Sequence, residues 1–520
     1  MVASAAAEFA EREAVVDGGA RLTFGDLAHA SQRFAASLVA SGVEPGQRVA
    51  LWAFNSLEWV VAALGAWEAG AVVVPINTRF KGREAADIIS RTRACALVTV
   101  TDFLDIDYVK LLAAAQAQLP DLHTTVVLRG PRAQGTVSWE AFLARAADGE
   151  LAEVERRSSR LGAEDPSDIL FTSGTTGSPK GVVQTHGRTL QVATDWVAMT
   201  GLCPSDRYLM VNPYFHMFGL KAGVLACLVA GATMLPQAVF EVEHVLQQVE
   251  AERVTVLPGP PTLYQSILDH PGRAQHDLST LRVAVTGAAD IPVELIRRVR
   301  QELPFSLVVT GYGLTEAGTA TATSPNDDAE TVATTVGRVR PGFEVRVADN
   351  AGQDVAPGQP GEVLLRGGSV MAHYLDDPVA TAEAFTGDRW LRTGDLGFVD
   401  EAGCLHIVGR SKDMFIVGGF NVYPAEVENY LLEHEAVAQV AVIGVADERM
   451  GEVGSAFVVL RPGADVDPAA LRTWARDRMA NYKVPRAFQI VDTLPMTATG
   501  KVHKDALRQQ MANQPKATSN

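Results

Sequence analysis

Phe171–Gly181 reads FTSGTTGSPKG, which sets Gly174, Gly177 and Gly181 among the hydroxyls of Thr172, Ser173, Thr175, Thr176 and Ser178 and adds one cation, Lys180. Glycine lets backbone N–H groups approach an anion closely, because no Cβ intervenes. Hydroxyls add donors and lysine adds a mobile positive charge, so the segment describes a loop that wraps a polyphosphate. The common P-loop needs four residues between its first glycine and a Gly-Lys-Ser/Thr ending. Here Pro179 precedes the lysine and Gly181 follows it. ATP is the expected ligand, and a standard P-loop NTPase is not the expected protein.

Four further segments carry groups of the right chemistry. Tyr312-Gly313-Leu314-Thr315-Glu316 follows the apolar run Leu307–Thr310, and strand ends are where open α/β sheets bind ligands. Its aromatic can stack on a base, its threonine can donate to a phosphate, and its carboxylate can hold Mg²⁺; a plain strand–loop junction is the commoner meaning of such a segment. Leu391–Leu396 (LRTGDL) offers Asp395 to the hydroxyls of a ribose, or simply as a turn aspartate. Gly409-Arg410-Ser411-Lys412-Asp413 followed by Val417-Gly418-Gly419-Phe420-Asn421 reads as a pivot between domains, or as a linker. Thr497-Ala498-Thr499-Gly500-Lys501 puts a lysine on a glycine turn near the C-terminus. Within the apolar run from Tyr214 to Ala226, His216 would ordinarily be a satisfied core residue. Lys221 reads either as a helix-surface lysine or as a contact for a keto oxygen of a substrate.

These groups need a scaffold. Arg48–Ala53, Gly70–Ile76, Ala96–Thr101, Thr124–Leu128, Asp168–Thr172, Thr255–Leu257, Leu281–Thr286 and Leu307–Thr310 are short, apolar and largely β-branched, and Leu57–Glu68 has helical spacing. Strands alternating with helices predict layered α/β structure with largely parallel sheets. From about Thr335 to Val408 short alternating segments separated by Gly/Pro/Asp turns predict a small antiparallel barrel or sheet. After Arg410 the helices Pro424–His434 and Asp467–Ala480 alternate with strands Val437–Val445, Ser455–Leu460 and Phe488–Val491. Those roughly 110 residues make an α+β domain of ordinary size. The expected division is 1–410 and 411–520, with Gln514–Asn520 a frayed tail.

The bulk properties narrow the partners. At 520 residues the chain needs more than one core. A net charge of −16 argues against nucleic acid and anionic membranes as partners. Cys95, Cys203, Cys227 and Cys404 lie far apart without metal-ligand spacing, as in a reduced cytoplasmic protein. Glu8 and Glu11 interrupt the alanine-rich start, which does not read as a signal peptide. The most apolar stretch, Gly219–Leu235, is short and contains Lys221, so it reads as a buried helix and not as a membrane span.

All these segments occur in one order in one chain, from about Leu22 to Leu507, and together they resemble the adenylate-forming superfamily. That superfamily includes acyl-CoA synthetases, 4-coumarate-type CoA ligases, luciferases and peptide-synthetase adenylation domains. The resemblance implies a large adenylation domain and a small mobile cap, with ATP, Mg²⁺ and coenzyme A as cofactor and co-substrates. It implies that Thr172, Ser173, Gly174, Thr175, Thr176, Gly177 and Lys180 embrace the β- and γ-phosphates. Tyr312, flanked by Gly311 and Gly313, would stack on adenine; Gly287, Ala288 and Ala289 would line the base and the acyl channel. Thr315 would contact the α-phosphate, Glu316 would bind Mg²⁺, and Asp395 would hold the ribose with Arg410 nearby. Lys501 is the implied catalytic lysine, acting with Thr176, Glu316 and His216, the last a gate beside the substrate carboxylate. Lys412 would be the pivot; Gly418, Gly419 and Asn421 would border the thiol tunnel.

The segments FHMFGLKAGVLACL, VTVLPGPPTLYQSILDHP and DMFIVGGFNVYPAEVE are similar to actinobacterial CoA ligases of steroid breakdown, which act on a bicyclic indanedione propanoate. Medium- or long-chain fatty acids, aryl acids, and loading of a carrier protein in place of CoA are the alternatives. Oligomeric state is left open, a homodimer among the options.

Overall fold

The computed structural model describes residues 1–172, 179–287, 291, 293–349, 351–410, 413–417, 420–447, 449–497 and 502–513. Arg48–Trp52 lies at the centre of an eight-stranded sheet, pairing in parallel with Val72–Pro75 and Ala94–Thr99, so that Ala50 faces Val74 on one side and Leu97 on the other. The helix Leu57–Glu68 connects the first two of these strands. The Ser56 hydroxyl starts it by accepting the Trp59 N–H at 3.2 Å. Its whole middle, Trp59 to Trp67, is buried, as expected for a helix covering a parallel sheet whose strands are apolar on both faces.

Pro166–Thr172 pairs in parallel with Val72–Pro75 and antiparallel with Lys180–Thr185. Thr172 and Lys180 are ladder partners, so the two legs of the glycine- and hydroxyl-rich loop are held side by side. Residues 173–178, between those legs, lie outside the described residues. The two-residue strand His373–Tyr374 closes that edge against Val182 and Val183.

A second layer contains Glu13–Asp17, Ala20–Thr23, Arg207–Met210 and Thr233–Pro236. A further path of four strands, Val283–Gly287, Leu307–Leu314, Gly318–Ala322 and Arg338–Val339, accompanies it. Thr255–Leu257, expected as a strand, contributes only single bridges from Val256 to Tyr208 and Val283. The apolar run after His216 is not one regular helix. It is a π-helical turn, Leu220–Leu225, followed by Ala226–Ala230 and then the strand Thr233–Pro236. Phe343–Ala348, Gly361–Gly367, Leu391–Val399 and Leu405–Arg410 form an antiparallel four-stranded sheet.

The C-terminal residues gather a core of their own. Phe415, Val422, Val427, Leu431, Val442, Val458 and Leu471 pack between the helices Pro424–Leu432 and Pro468–Arg476 and the strands Val437–Asp447 and Gly451–Leu460. Pro424 opens its helix, where a missing N–H loses no bond. Ser411 and Lys412, at the expected division, and the tail 514–520 are outside the described residues.

Candidate active site

The apolar run Leu307–Thr310 predicts a strand that ends at Thr310, with Tyr312 just beyond it. The strand instead runs through Tyr312 to Leu314 and returns at Gly318–Ala322, with Tyr312 opposite Thr321. Gly313 permits that return: a Cβ there would stand 2.2 Å from the Gly318 carbonyl oxygen. Gly287 and Gly311 are ladder partners on the neighbouring strands, and a Cβ at Gly311 would stand 2.9 Å from the Thr321 carbonyl oxygen, so the backbones approach closely at this end of the sheet.

Asp395 reaches the same place from the antiparallel sheet. Gly394 adopts φ +70, which sharpens the bend before it, and the Asp395 N–H donates to the Thr393 hydroxyl at 3.0 Å. The carboxylate is nearly closed off from solvent. One oxygen accepts the Tyr312 hydroxyl at 2.5 Å, and the other lies 2.9 Å from Nε of Arg410, whose side chain is half-exposed. Burial first, and then the Asp395 carboxylate beside it, push the Tyr312 phenol well above its ordinary pKa. Tyr312 therefore stays a neutral donor, and its ring orientation is fixed before any base stacks on it.

Thr315 and Glu316 form the turn between the two strands. The Glu316 carbonyl accepts the Met371 N–H at 2.6 Å, and one carboxylate oxygen accepts the Tyr374 hydroxyl at 2.9 Å. Burial raises the Glu316 pKa, against the opposing pull of that hydrogen bond. A desolvated carboxylate with one oxygen engaged gains from a nearby cation. Mg²⁺ is ordinarily held by one or two carboxylates together with substrate phosphates. Among the described residues no group of three His, Cys, Asp or Glu forms a metal cage, so Glu316 fits a metal delivered with a nucleotide.

The legs of the glycine- and hydroxyl-rich loop are braced by a residue that no motif marked. Arg91, in the last turn of the helix Gly82–Thr92, donates to the Pro179 carbonyl at 2.8 Å and lies 5.1 Å from the Phe171 ring centroid. Lys180 sits over the Tyr374 ring, its Nζ 5.0 Å from the centroid. The sequence carried no signal for Tyr374, because a two-residue strand has no periodicity to read.

His216 caps the short turn Met217–Gly219, its Nδ1 accepting the Phe218 N–H at 3.2 Å. In the neutral ring the proton then sits on Nε2. Lys221 is neither a surface residue nor open to a substrate: it is fully buried in the π-helical turn, 2.9 Å from Asp168. Asn421 is on the strand Phe420–Val422, opposite Ile416. Ser173, Gly174, Thr175, Thr176, Gly177, Ala288, Ala289, Lys412, Gly418, Gly419 and Lys501 lie outside the described residues.

A glycine-lined strand end, a braced anion loop, and an aromatic and a carboxylate locked together define a nucleotide-activating enzyme, and the chain belongs to the AMP-binding enzyme family. The family matches residues 2–375, and its C-terminal domain matches residues 426–501. Within it the protein is an AMP-forming acid:CoA ligase that uses ATP, Mg²⁺ and CoA. It is 49% identical over 500 residues to 3-[(3aS,4S,7aS)-7a-methyl-1,5-dioxo-octahydro-1H-inden-4-yl]propanoyl:CoA ligase of Mycobacterium tuberculosis, covering 96% of each chain. The ligase of the same name from Rhodococcus jostii is 48% identical over 510 residues, covering 97% of each. Among solved structures, the anthranilate CoA ligase AuaEII in complex with anthranoyl-AMP superposes with a TM-score of 0.87 at 29% identity, covering 98% of this chain and 96% of the other. Among the described residues no helix is long and apolar enough to cross a membrane.

Proposed function

We propose that the acid activated by this ligase is a bicyclic dione propanoate of the kind named in the M. tuberculosis and R. jostii relatives. The observation that carries this reading is near-half identity to both along almost the whole of each chain. In the first step the acid's carboxylate oxygen attacks the α-phosphorus of ATP, and the bond to pyrophosphate breaks. In the second, the CoA sulfur attacks the acyl carbon, the thiol proton is lost, and AMP leaves with the bonding electrons.

The residue roles in this reading are those that the family resemblance implies, and the chemistry of each position is compatible with them. Two anions must meet in the first step, so positive charge is needed between them. Lys501 supplies it in this reading; Glu316 would hold a Mg²⁺ delivered with the nucleotide, and that ion would supply further neutralising charge. Thr172, Ser173, Gly174, Thr175, Thr176, Gly177 and Lys180 hold the β- and γ-phosphates, with Arg91 bracing the legs of their loop. Tyr312 stacks on adenine against Gly287, Ala288 and Ala289, Asp395 accepts the ribose hydroxyls, and Thr315 donates to the α-phosphate. His216 stands at the acid carboxylate. Residues 411–520 act as a cap that turns about Lys412, presenting Lys501 for the first step and Gly418, Gly419 and Asn421 to CoA for the second.

The supply of ATP and CoA, together with four unpaired cysteines, supports a cytoplasmic location. Light scattering decides between monomer and homodimer. Pyrophosphate release measured over a panel of acids, with and without CoA, tests the substrate: the bicyclic dione propanoate should exceed linear and aryl acids in kcat/KM. Equal rates on medium-chain or aryl acids would reassign it, and turnover only with a phosphopantetheine protein would replace CoA by a carrier. Lys501→Ala should slow adenylation by on the order of 100-fold or more, yet leave CoA transfer from supplied acyl-AMP largely intact. Equal loss of both half-reactions, with the fold intact, would sink the assigned role of Lys501.

A further inference from the structure

Met371 to Leu375 runs as a strap across both arms of the nucleotide site. At one end the Met371 N–H donates to the Glu316 carbonyl at 2.6 Å; at the other the Leu375 N–H donates to the Gly181 carbonyl at 2.7 Å. Between them Tyr374 pairs with Val182 on the edge of the eight-stranded sheet. Its own N–H donates to the Thr381 hydroxyl at 3.0 Å, which fixes it from the outer side. Tyr374 is 9% exposed. Its hydroxyl donates to Glu316 at 2.9 Å, and its ring face lies 5.0 Å from the Lys180 ammonium.

Lys180 and Glu316 carry opposite charges on adjacent arms, yet among the described residues they form no ion pair. Had they paired, each would enter the reaction with its charge already spent on the other, and a nucleotide would have to break the pair. Tyr374 gives each a weaker, separate partner: a hydrogen bond that occupies one carboxylate oxygen, and a π face that holds an ammonium without a counter-charge.

We propose that Tyr374 is a positioning residue for the metal–nucleotide complex, keeping the Glu316 carboxylate and the Lys180 ammonium apart and aimed at the same polyphosphate. The proposal rests on the reading of Glu316 as the Mg²⁺-facing carboxylate and Lys180 as a phosphate cation. Tyr374→Phe removes the hydroxyl and keeps the ring; Tyr374→Leu removes both.

Calorimetric titration with the non-hydrolysable analogue α,β-methylene-ATP, over a range of Mg²⁺ concentrations, separates the two functions without turnover. Tyr374→Phe should raise the Mg²⁺ concentration for half-maximal binding by about tenfold, the loss expected for a hydrogen bond to a charged group. It should leave binding in EDTA unchanged. Tyr374→Leu should weaken binding in EDTA as well, by about threefold, through Lys180. In steady state, KM for ATP should rise in both variants while KM for the acid stays the same. Tyr374→Phe with wild-type Mg²⁺ dependence, while Glu316→Gln weakens it, would overturn this proposal alone. Glu316→Gln without effect on Mg²⁺ dependence would overturn the reading of Glu316, and this proposal with it. Tyr374→Phe is near-isosteric, so the test stands even where Tyr374→Leu fails to fold.

Discussion

Asp168 and Asp395 are both buried aspartates with a cation 2.9 Å away, and they solve the same electrostatic problem in opposite ways. Asp168 is sealed. It and Lys221 are fully enclosed, and its second oxygen takes the Ser167 hydroxyl at 2.6 Å and the Thr189 hydroxyl at 2.7 Å. Asp395 is closed on one side only: Arg410 is half-exposed, and Tyr312 is the one side chain that engages the other oxygen among the described residues. Sealing makes each charge depend on the other and closes the pair to a ligand, whereas a half-open pair can exchange a protein partner for a substrate hydroxyl. The position of an ion pair in the fold, more than its length, separates structure from function.

The sealed pair should give the largest effect. Burial works to lower the Lys221 pKa and Asp168 works to hold the charge. Lys221→Met leaves Asp168 charged in the core, at a cost of about 3–5 kcal/mol. Adding Asp168→Leu should recover most of that loss, because the desolvation penalty goes with the charge. Urea denaturation of the single and double variants measures both, and a single variant within about 1 kcal/mol of wild type would break the contrast.

Glu68 sharpens the comparison from a third side, as a largely buried carboxyl with no ion pair among the described residues. Burial raises its pKa from 4.5 to about 7, with the Ser31 side chain pulling the other way, and its Oε2 has no hydrogen-bond partner among the described residues. Between those two pH values the native state holds a proton that the unfolded chain has released. Stability from this group is therefore present below pH 4.5 and is lost as pH rises towards 7, by up to about 3 kcal/mol. Glu68→Gln stays neutral throughout. It should match wild type near pH 4.5 and exceed it at pH 8, as urea midpoints at the two pH values would reveal. An identical pH dependence in both proteins would show that Glu68 is not the group that titrates.

What the sequence disclosed follows the same division. Groups that are neighbours in the chain stand out by composition alone: FTSGTTGSPKG, Thr315 with Glu316, Asp395 in LRTGDL; the roles given to them belong to the proposed function. The helix Leu57–Glu68 was legible too, its serine cap and apolar run being local signals. Groups brought together by the fold were not. Lys221 read as a surface or substrate-facing lysine because its partner lies 53 residues away, on a strand of the eight-stranded sheet. Arg91, on a helix, and Tyr374, on a two-residue strand, meet the legs of the glycine-rich loop from far along the chain, without a motif. Gly311 and Gly313 are expected beside the nucleotide as the flanks of Tyr312; in the fold they serve a tight hairpin in which a neighbouring backbone takes the place of a side chain. Val256 was expected within a strand and supplies only bridges, since apolar character alone does not make a ladder.

The half-open pair should separate binding from stability. Asp395→Asn keeps the shape and loses the charge, so hydroxyls of a bound ribose meet a weaker acceptor. Hydrogen bonds to a charged group are worth about 1.5–3 kcal/mol, which corresponds to a rise in KM for ATP of roughly 10- to 100-fold. Arg410, released from its partner, stays solvated, and an exposed guanidinium left alone has little effect on folding. KM for the acid should hold, because nothing in the pair faces it in the proposed arrangement. ATP titrations of pyrophosphate release, run beside urea denaturation, read the two effects separately. If Asp395→Asn destabilised the protein as much as Lys221→Met while KM for ATP stayed unchanged, Asp395 would be a second sealed pair and the ribose would have to be held elsewhere.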